Sequence, residues 1–200
     1  MKHVIVAGAL VSLLGAALIA PAAAADVGVS VTDNRFSPES VRVAVGDAVT
    51  WTSGGTRAGH NVREDNRIFY SGVQTDRLDF SVTFSAGAFH YFCENHGTRT
   101  KGMNGWVRVP ATVGAAPAGD PFTVRWATAA TETGPRFKVH YRIASGRWLE
   151  WKASTRELSA VFGRDATPIP VVPGTQYGFR VRSIRGENMS FWSPVASFTP

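Results

Sequence analysis

Short segments in which apolar and polar residues alternate one by one recur along this chain, and they limit it to strand-rich folds. The clearest is segment 78–84, where four large apolar residues alternate with polar ones. A strict period of two is typical of a half-buried strand. Valine, threonine and aromatic residues, which favour strands, are frequent. The sequence therefore predicts an all-β fold.

The same alternation divides residues 26–110 into about eight strands, with no convincing helical periodicity. Eight short strands in so few residues predict a small sandwich of two sheets, or a barrel. The clearest predicted strands are 27–32, 40–45, 48–52, 78–84, 88–93 and 106–109.

The first 25 residues have the pattern of a secretory signal peptide. A short basic start precedes the apolar run 4–20, and the small residues 22–25 offer a cleavage site before Asp26. The run is short for a bilayer-spanning helix, so an uncleaved anchor is the less favoured alternative. We expect an exported mature protein, secreted or otherwise extracytoplasmic, in a periplasm or at a cell surface.

A stretch of small and almost uncharged residues, 111–120, is typical of a linker. Residues 26–110 hold nine basic and nine acidic side chains, whereas residues 111–200 hold eleven and six. The excess of basic side chains, which gives the chain its high isoelectric point, therefore lies in the second half. We predict two β-sandwich domains, 26–110 and 121–200, joined by this linker.

Cys93 is the only cysteine, so the chain cannot form an internal disulfide. His96 and Met103 follow it closely, and His60 stands upstream in a glycine-flanked segment. Alone, Cys93 and Met103 would be ordinary core residues. Together, a thiolate, two imidazoles and a distant thioether are the ligand set of a blue-copper site. Zinc is the alternative metal.

The remaining histidines of the mature chain are predicted not to be ligands. Side chains alternate between the two faces of a strand, so His90 points away from the face that carries Cys93. We therefore expect His90 to be a surface histidine. His140 lies on an alternating strand of the second half with no soft ligand near it in sequence, and we expect a structural role.

The region from about residue 27 to 109 resembles a cupredoxin of the plastocyanin or pseudoazurin type. Several separated motifs stand in the order that this family shows. These motifs are His60-Asn61, Cys93-Glu94-Asn95-His96 and Gly102-Met103-Asn104-Gly105.

The resemblance implies one type 1 copper ion per chain. It implies a plane of ligands formed by His60, Cys93 and His96, with Met103 as a weak axial ligand. It also implies that Asn61 braces the loop that bears the cysteine. Six residues separate His96 from Met103, which is longer than in plastocyanins.

The function that follows from this resemblance is the transfer of single electrons between extracytoplasmic partners. The edge of His96 would be the electron's exit, and Arg99 and Lys101 nearby would favour an acidic partner. The sequence has no carboxylate pair, no Ser-His-Asp arrangement and no second copper cluster. We therefore predict a carrier and not an enzyme.

Residues 121–200 resemble a fibronectin type III domain through Trp126, segment 173–183 and segment 191–193. The resemblance makes Tyr177 the tyrosine-corner residue.

Arg180 and Arg182 stand two residues apart on one predicted strand and so share a face. With Arg185 nearby they predict a basic face, which suits an anionic cell-surface polymer or is simply solvated. No feature predicts nucleic-acid binding. An alternative function is therefore copper binding, copper storage or adhesion, with the fibronectin-like module as the working part.

Overall fold

The computed structural model describes residues 24–164 and 169–200, and across these ranges the chain forms sixteen strands and no helix. The predicted all-β fold is confirmed. These residues also include no helix that is long and apolar enough to span a membrane. The predicted signal peptide, 1–25, lies outside the described residues except for its last two positions.

Eight strands build the first half: β1 (Asp26–Thr32), β2 (Arg35–Ser37), β3 (Ser40–Arg42), β4 (Ala48–Thr52), β5 (Arg63–Glu64), β6 (Asp79–Thr83), β7 (Gly87–Gly97) and β8 (Gly102–Val109). They form two four-stranded sheets with the orders β2-β1-β4-β6 and β3-β8-β7-β5. The β1–β4 and β3–β8 pairs are parallel, and the other pairs are antiparallel.

Most predicted strands appear, with shifted ends. Predicted strand 48–52 coincides with β4, whereas predicted strand 40–45 shortens to β3. Beyond β3 the chain approaches a turn at Gly46, whose φ of 95° is a conformation that favours glycine. Predicted strand 88–93 continues to Gly97, so Cys93 lies within β7 rather than at its end.

The core of the first half lies between its two sheets and fixes the direction in which β7 presents its side chains. Trp51 is fully buried and meets the Tyr91 ring edge-on, with ring centroids 5.1 Å apart. Phe89 and Tyr91 are also fully buried on the inward face of β7. Cys93, two residues further, faces the same way because alternate strand residues share a face.

The second half contains β9 (Thr112–Val113), β10 (Phe122–Arg125), β11 (Arg136–Ile143), β12 (Leu149–Thr155), β13 (Ser159–Phe162), β14 (Tyr177–Arg185), β15 (Asn188–Met189) and β16 (Ala196–Phe198). One sheet has the order β13-β10-β9, and the other has the order β12-β11-β14-β15 with β16 also paired to β14. Strand β9 lies within segment 111–120, so part of the predicted linker is tied to β10.

The two halves pack directly on each other along a surface that we call the seam. Ser85 of the first half donates its backbone N–H to Thr133 Oγ1 at 2.9 Å, and its hydroxyl lies 2.5 Å from Ser183 Oγ. Ala88 and Phe191 exchange two backbone hydrogen bonds. Buried hydroxyls that satisfy one another avoid the cost of unpaired polar groups, so the seam is a specific contact.

Candidate metal centre

The structure brings together three of the four predicted metal ligands. The Cys93 Sγ atom lies 3.7 Å from His60 Nδ1 and 3.6 Å from His96 Nδ1. Ligand atoms of all three side chains lie within 4.8 Å of one another. His60 and Cys93 are fully buried, and His96 is half-buried.

These separations fit a shared metal ion. Two ligand atoms bound at about 2.0 to 2.3 Å and about 120° apart stand roughly 3.7 Å from each other. Both imidazoles turn the same atom, Nδ1, toward the sulfur. If the two histidines only formed hydrogen bonds to the Cys93 thiol, either ring nitrogen of each histidine could face the sulfur. One thiolate and two imidazoles match the donor set of a trigonal copper site.

An irregularity in strand pairing creates room for the cluster. Strand β7 pairs with β8 up to Phe92, opposite Asn104, and pairing resumes at Gly97, opposite Gly102. Four residues of β7 therefore stand against Met103 alone, as in an enlarged β-bulge. The extra residues, among them Cys93 and His96, arch out of the ladder and converge.

His60 is held from two sides. Its backbone exchanges hydrogen bonds of 2.8 and 3.0 Å with Thr75. Its Nε2 lies 3.5 Å from Asp33 Oδ1, so a proton on Nε2 leaves the Nδ1 lone pair facing Cys93. Burial lowers the pKa of His60 from its ordinary value, against the opposing effect of Asp33. The neutral imidazole that a metal requires is therefore favoured.

Asn61 joins the segment that bears His60 to the residue after Cys93. Its Oδ1 accepts a 2.9 Å hydrogen bond from the Glu94 backbone N–H, and its Nδ2 donates to Glu94 Oε2 at 2.7 Å and to the Gly72 carbonyl at 3.1 Å. Asn61 is fully buried. Such bonds to the residues around a ligand fix the ligand's orientation.

Glu94 is a functional candidate that the sequence reasoning missed. Its carboxylate receives hydrogen bonds from Asn61 at 2.7 Å and Tyr70 at 3.0 Å, and it pairs with Arg63. The bond from Asn61 is the main reason that the pKa of Glu94 lies below its usual range, and Arg63 and Tyr70 add to it. Its position directly after the only cysteine could have identified Glu94 as a candidate from the sequence.

Met103, the predicted axial ligand, is 2% exposed and belongs to the same buried cluster as Cys93. The additional residues between His96 and Met103 form a hairpin turn, closed by a 2.8 Å hydrogen bond from Thr98 N–H to the Lys101 carbonyl. The turn lies beyond the Gly97–Gly102 pair, so the longer loop does not remove Met103 from the strand opposite the bulge.

The prediction that His90 is a surface histidine is wrong. His90 is only 5% exposed, its Nδ1 lies 3.0 Å from Asp65 Oδ2, and its ring packs on Trp106 with centroids 4.7 Å apart. The outward face of β7 is covered because the hairpin that carries Asp65 folds over it. His140 is half-buried, with its ring 4.4 Å from that of Trp192.

Glu64, beside Asp65, is a second buried acid that the sequence did not reveal. Its Oε2 accepts hydrogen bonds from the backbone of Asn66 at 2.7 Å and Ile68 at 3.0 Å. Its Oε1 has no hydrogen-bond partner among the described residues. Burial raises the pKa of Glu64 to about 7.

A two-sheet sandwich that gathers one cysteine and two histidines in its core defines the class of single-site blue-copper proteins. The family of copper-binding proteins that includes plastocyanin and azurin matches residues 23–110. The chloroplast plastocyanin of Tetradesmus obliquus is 34% identical over 104 residues, which is 45% of this chain and 70% of that protein. The chain belongs to the plastocyanin/azurin family.

Among solved structures, amicyanin from Paracoccus versutus is 27% identical, with a TM-score of 0.35 over 46% of this chain and 85% of amicyanin. A mutant fern plastocyanin is 23% identical, with a TM-score of 0.33 over 42% of this chain and 99% of its own. Family membership makes copper, rather than zinc, the cofactor, and His60, Cys93 and His96 fit one type 1 site.

Proposed function

We propose that this protein is an exported type 1 copper protein that carries single electrons between extracytoplasmic partner proteins, and that it is not an enzyme. The observation that carries the proposal is the position of both histidine Nδ1 atoms, 3.6 and 3.7 Å from Cys93 Sγ. Residues His60, Cys93 and His96 would hold the ion, and Met103 would be a fourth and weaker ligand. The signal-peptide pattern at residues 1–25 supports export.

Bound copper supplies a one-electron couple between Cu(I) and Cu(II). The protein contributes a fixed arrangement of ligands, since preorganised groups need not rearrange when charge changes. Asn61 ties the two ligand segments together, and Asp33 orients the His60 ring. A ligand set that moves little between the two charge states suits rapid electron transfer.

His96 is the half-buried ligand and would form the edge at which electrons enter and leave. Arg99 and Lys101 are exposed on the hairpin that follows it. Exposed cations beside an electron exit raise the rate of encounter with a negatively charged protein. An acidic redox partner is part of the proposal.

For the second half we propose a fibronectin type III-like domain at 121–200, connected through 111–120 to the copper domain at 26–110. The Tyr177 hydroxyl supports this assignment, because it donates to the Pro170 carbonyl at 3.0 Å and accepts from Val172 N–H at 2.9 Å. A tyrosine at the start of a strand that bonds to the backbone a few residues upstream is the tyrosine corner of such sandwiches.

A basic ladder on β11 and β14 favours a second candidate function, adhesion or copper storage at a surface bearing an anionic polymer. Guanidinium groups and indole rings alternate along it, with separations of 4.3 to 4.8 Å between each guanidinium carbon and the next ring centroid. Its members are Arg142, Trp148, Arg180, Trp192 and Arg182. Lys138 stands directly opposite Arg182 but pairs with Glu150 at 2.9 Å, so the positive charge of this face comes mainly from its three arginines.

One experiment separates the carrier from the storage protein. Electron self-exchange is measured on the copper-loaded chain by NMR line broadening, and a Cu(I) chelator is then added to the reduced form. A carrier exchanges electrons rapidly and retains Cu(I), whereas a storage protein releases Cu(I) readily and exchanges electrons slowly.

Polymer binding is tested by retention on an immobilised polyanion. Arg180→Glu lies on the ladder, and Arg125→Glu, on the exposed side of β10, is the matched control. The polymer hypothesis predicts weaker retention for Arg180→Glu than for Arg125→Glu. Equal losses would rule out a specific role for the ladder.

A further inference from the structure

A cleft of about 520 Å³ opens where the two halves meet. We call it the seam cleft. Its walls include Asp65, Arg67 and Arg99 from the copper half, and Arg182, Met189 and Phe191 from the second half. Clefts between domains are preferred places for binding. This one requires both halves, since neither supplies all of its walls.

The charge of the seam cleft is predominantly positive. Arg67 and Arg99 are exposed, and Arg182 is half-buried with no hydrogen-bond partner for its Nε among the described residues. Of the two carboxylates in the walls, Asp65 is buried against His90, and Glu187 is exposed. Three guanidinium groups thus face one exposed carboxylate, which favours a negatively charged occupant.

The same cleft exposes apolar surface. Met189 and Phe191 are 41% and 40% exposed, although both are large apolar side chains. Arginine, methionine and aromatic residues are the types enriched at the centres of protein–protein interfaces. A small free anion would use the arginines alone, whereas a protein segment would use the apolar wall as well.

The seam cleft is also connected to the copper site through backbone. Arg99 belongs to the hairpin between His96 and Met103, and it donates a hydrogen bond to the Asp65 carbonyl. Asp65 donates its own N–H to the His90 carbonyl at 2.9 Å, on the strand that carries Cys93. An occupant of the cleft would lie against the strand and the loop that hold the metal ligands.

We propose that the seam cleft docks an acidic segment of the electron-transfer partner. Carboxylates of the partner bind Arg67, Arg99 and Arg182, and one of its apolar side chains packs against Met189 and Phe191. The proposal rests on the carrier function proposed above, and it gives the second half a role in that function. The appended half completes the surface on which the partner is held.

The test uses the whole copper-loaded chain and a synthetic peptide of four glutamates around one phenylalanine. A peptide with lysines in place of the glutamates is the control ligand. Backbone amide shifts are followed by NMR during titration. Arg99→Glu and Met189→Glu alter one wall each, and Arg125→Glu and Val172→Glu make the same kinds of change at exposed positions outside the cleft.

We expect the acidic peptide to shift amides on both sides of the seam, including Asn66 and Asn188, and the lysine peptide to shift neither. Arg99→Glu and Met189→Glu should each weaken binding, and together by about tenfold, whereas the two control variants leave it unchanged. Shifts confined to one half, or equal losses in the control variants, would overturn the proposal.

The visible absorption of each sample keeps this test separate from that of the proposed function. A blue or green protein that fails to bind the peptide contradicts the docking site alone. A protein that stays colourless when it is loaded with Cu(II) contradicts the carrier function, whatever the peptide does.

Discussion

The two halves of the chain are built from the same kind of sheet, yet they use their polar side chains in opposite ways. In the copper half, His60 and Asn61 are fully buried and converge on Cys93. In the second half, Arg180 and Arg182 spread along an outward sheet face and stack on Trp192. A buried polar cluster fixes geometry, whereas a surface array offers charge to a partner.

The charge distribution repeats this contrast. Residues 26–110 carry equal numbers of basic and acidic side chains, and residues 111–200 carry eleven basic and six acidic ones. The half that would hold a metal ion whose charge changes has no excess charge of its own, and the neighbouring half concentrates the cations. We infer that one half performs electron transfer and that the other contributes to recognition.

The largest expected effect tests whether the halves are thermodynamically separate. Trp51 and Trp126 are the fully buried indoles of the two cores. Truncation of either to alanine should cost about 4 kcal/mol of unfolding free energy, because it leaves a large cavity. Since the seam buries hydrogen-bonded hydroxyls of both halves, we expect Trp126→Ala to destabilise the copper half as well.

The measurement is urea unfolding followed both by the copper absorption band and by far-ultraviolet circular dichroism. A shared transition, displaced in both variants, agrees with coupling through the seam. If the copper band of Trp126→Ala disappeared at the same urea concentration as that of the wild type, the two halves would unfold independently.

The second effect concerns Glu64, a buried acid of the copper half. Burial raises its pKa from the ordinary glutamate value of 4.5 to about 7. The folded protein therefore binds this proton more tightly than the unfolded chain does. The stabilisation that results is fully present below about pH 4.5 and is lost as the pH rises through about 7. Glu64→Gln should be more stable than the wild type by about 3 kcal/mol at about pH 8, with no difference near pH 4.

Urea unfolding at the two pH values provides the test, with Glu39→Gln, an exposed acid, as the control. The same stability difference between wild type and Glu64→Gln at both pH values would show that Glu64 does not titrate as described.

The third effect tests the brace beside the metal site. Asn61→Ala removes the partner of the Glu94 backbone N–H in a buried place. An unsatisfied buried donor costs about 2 kcal/mol. We expect a loss of that size in unfolding free energy and a displaced copper absorption band, because the bulged part of β7 that bears Cys93 loses an anchor.

Asn188→Ala, at an exposed asparagine of β15, is the control. An unchanged absorption spectrum in Asn61→Ala, despite the lost stability, would limit Asn61 to a structural role.

The smallest expected loss of stability concerns Tyr177, in the second half. Tyr177→Phe removes the hydroxyl that joins the Pro170 carbonyl to the Val172 N–H, which should cost about 1 kcal/mol of stability. The copper band at room temperature should not change. Calorimetry on Tyr177→Phe and on Tyr141→Phe, a tyrosine of β11, measures the difference. Equal melting temperatures would argue against a tyrosine corner.

Features that depend on residues close in sequence were predictable. Cys93 and His96 are three residues apart in sequence, so their proximity in space was foreseeable. Strand β4 was predicted to the residue because its alternation is strict and its ends are marked.

Features that depend on long-range contacts were not foreseeable. Alternation places His90 on the outward face of β7, but only the folded hairpin shows that Asp65 covers it. Likewise, no local pattern in segment 111–120 indicates that Thr112 and Val113 pair with β10. The seam depends on small residues such as Ser85 and Ser183, which have no distinctive pattern.

If Cys93 anchors one type 1 copper site, the visible spectrum of the copper-loaded protein will show it. The chain from Asp26 to Pro200 is loaded with Cu(II) beside a Cys93→Ser variant. We predict an intense blue or green thiolate-to-copper band that the variant lacks. A colourless protein, or a weak colour that the variant retains, would show that Cys93 does not hold copper in a type 1 site.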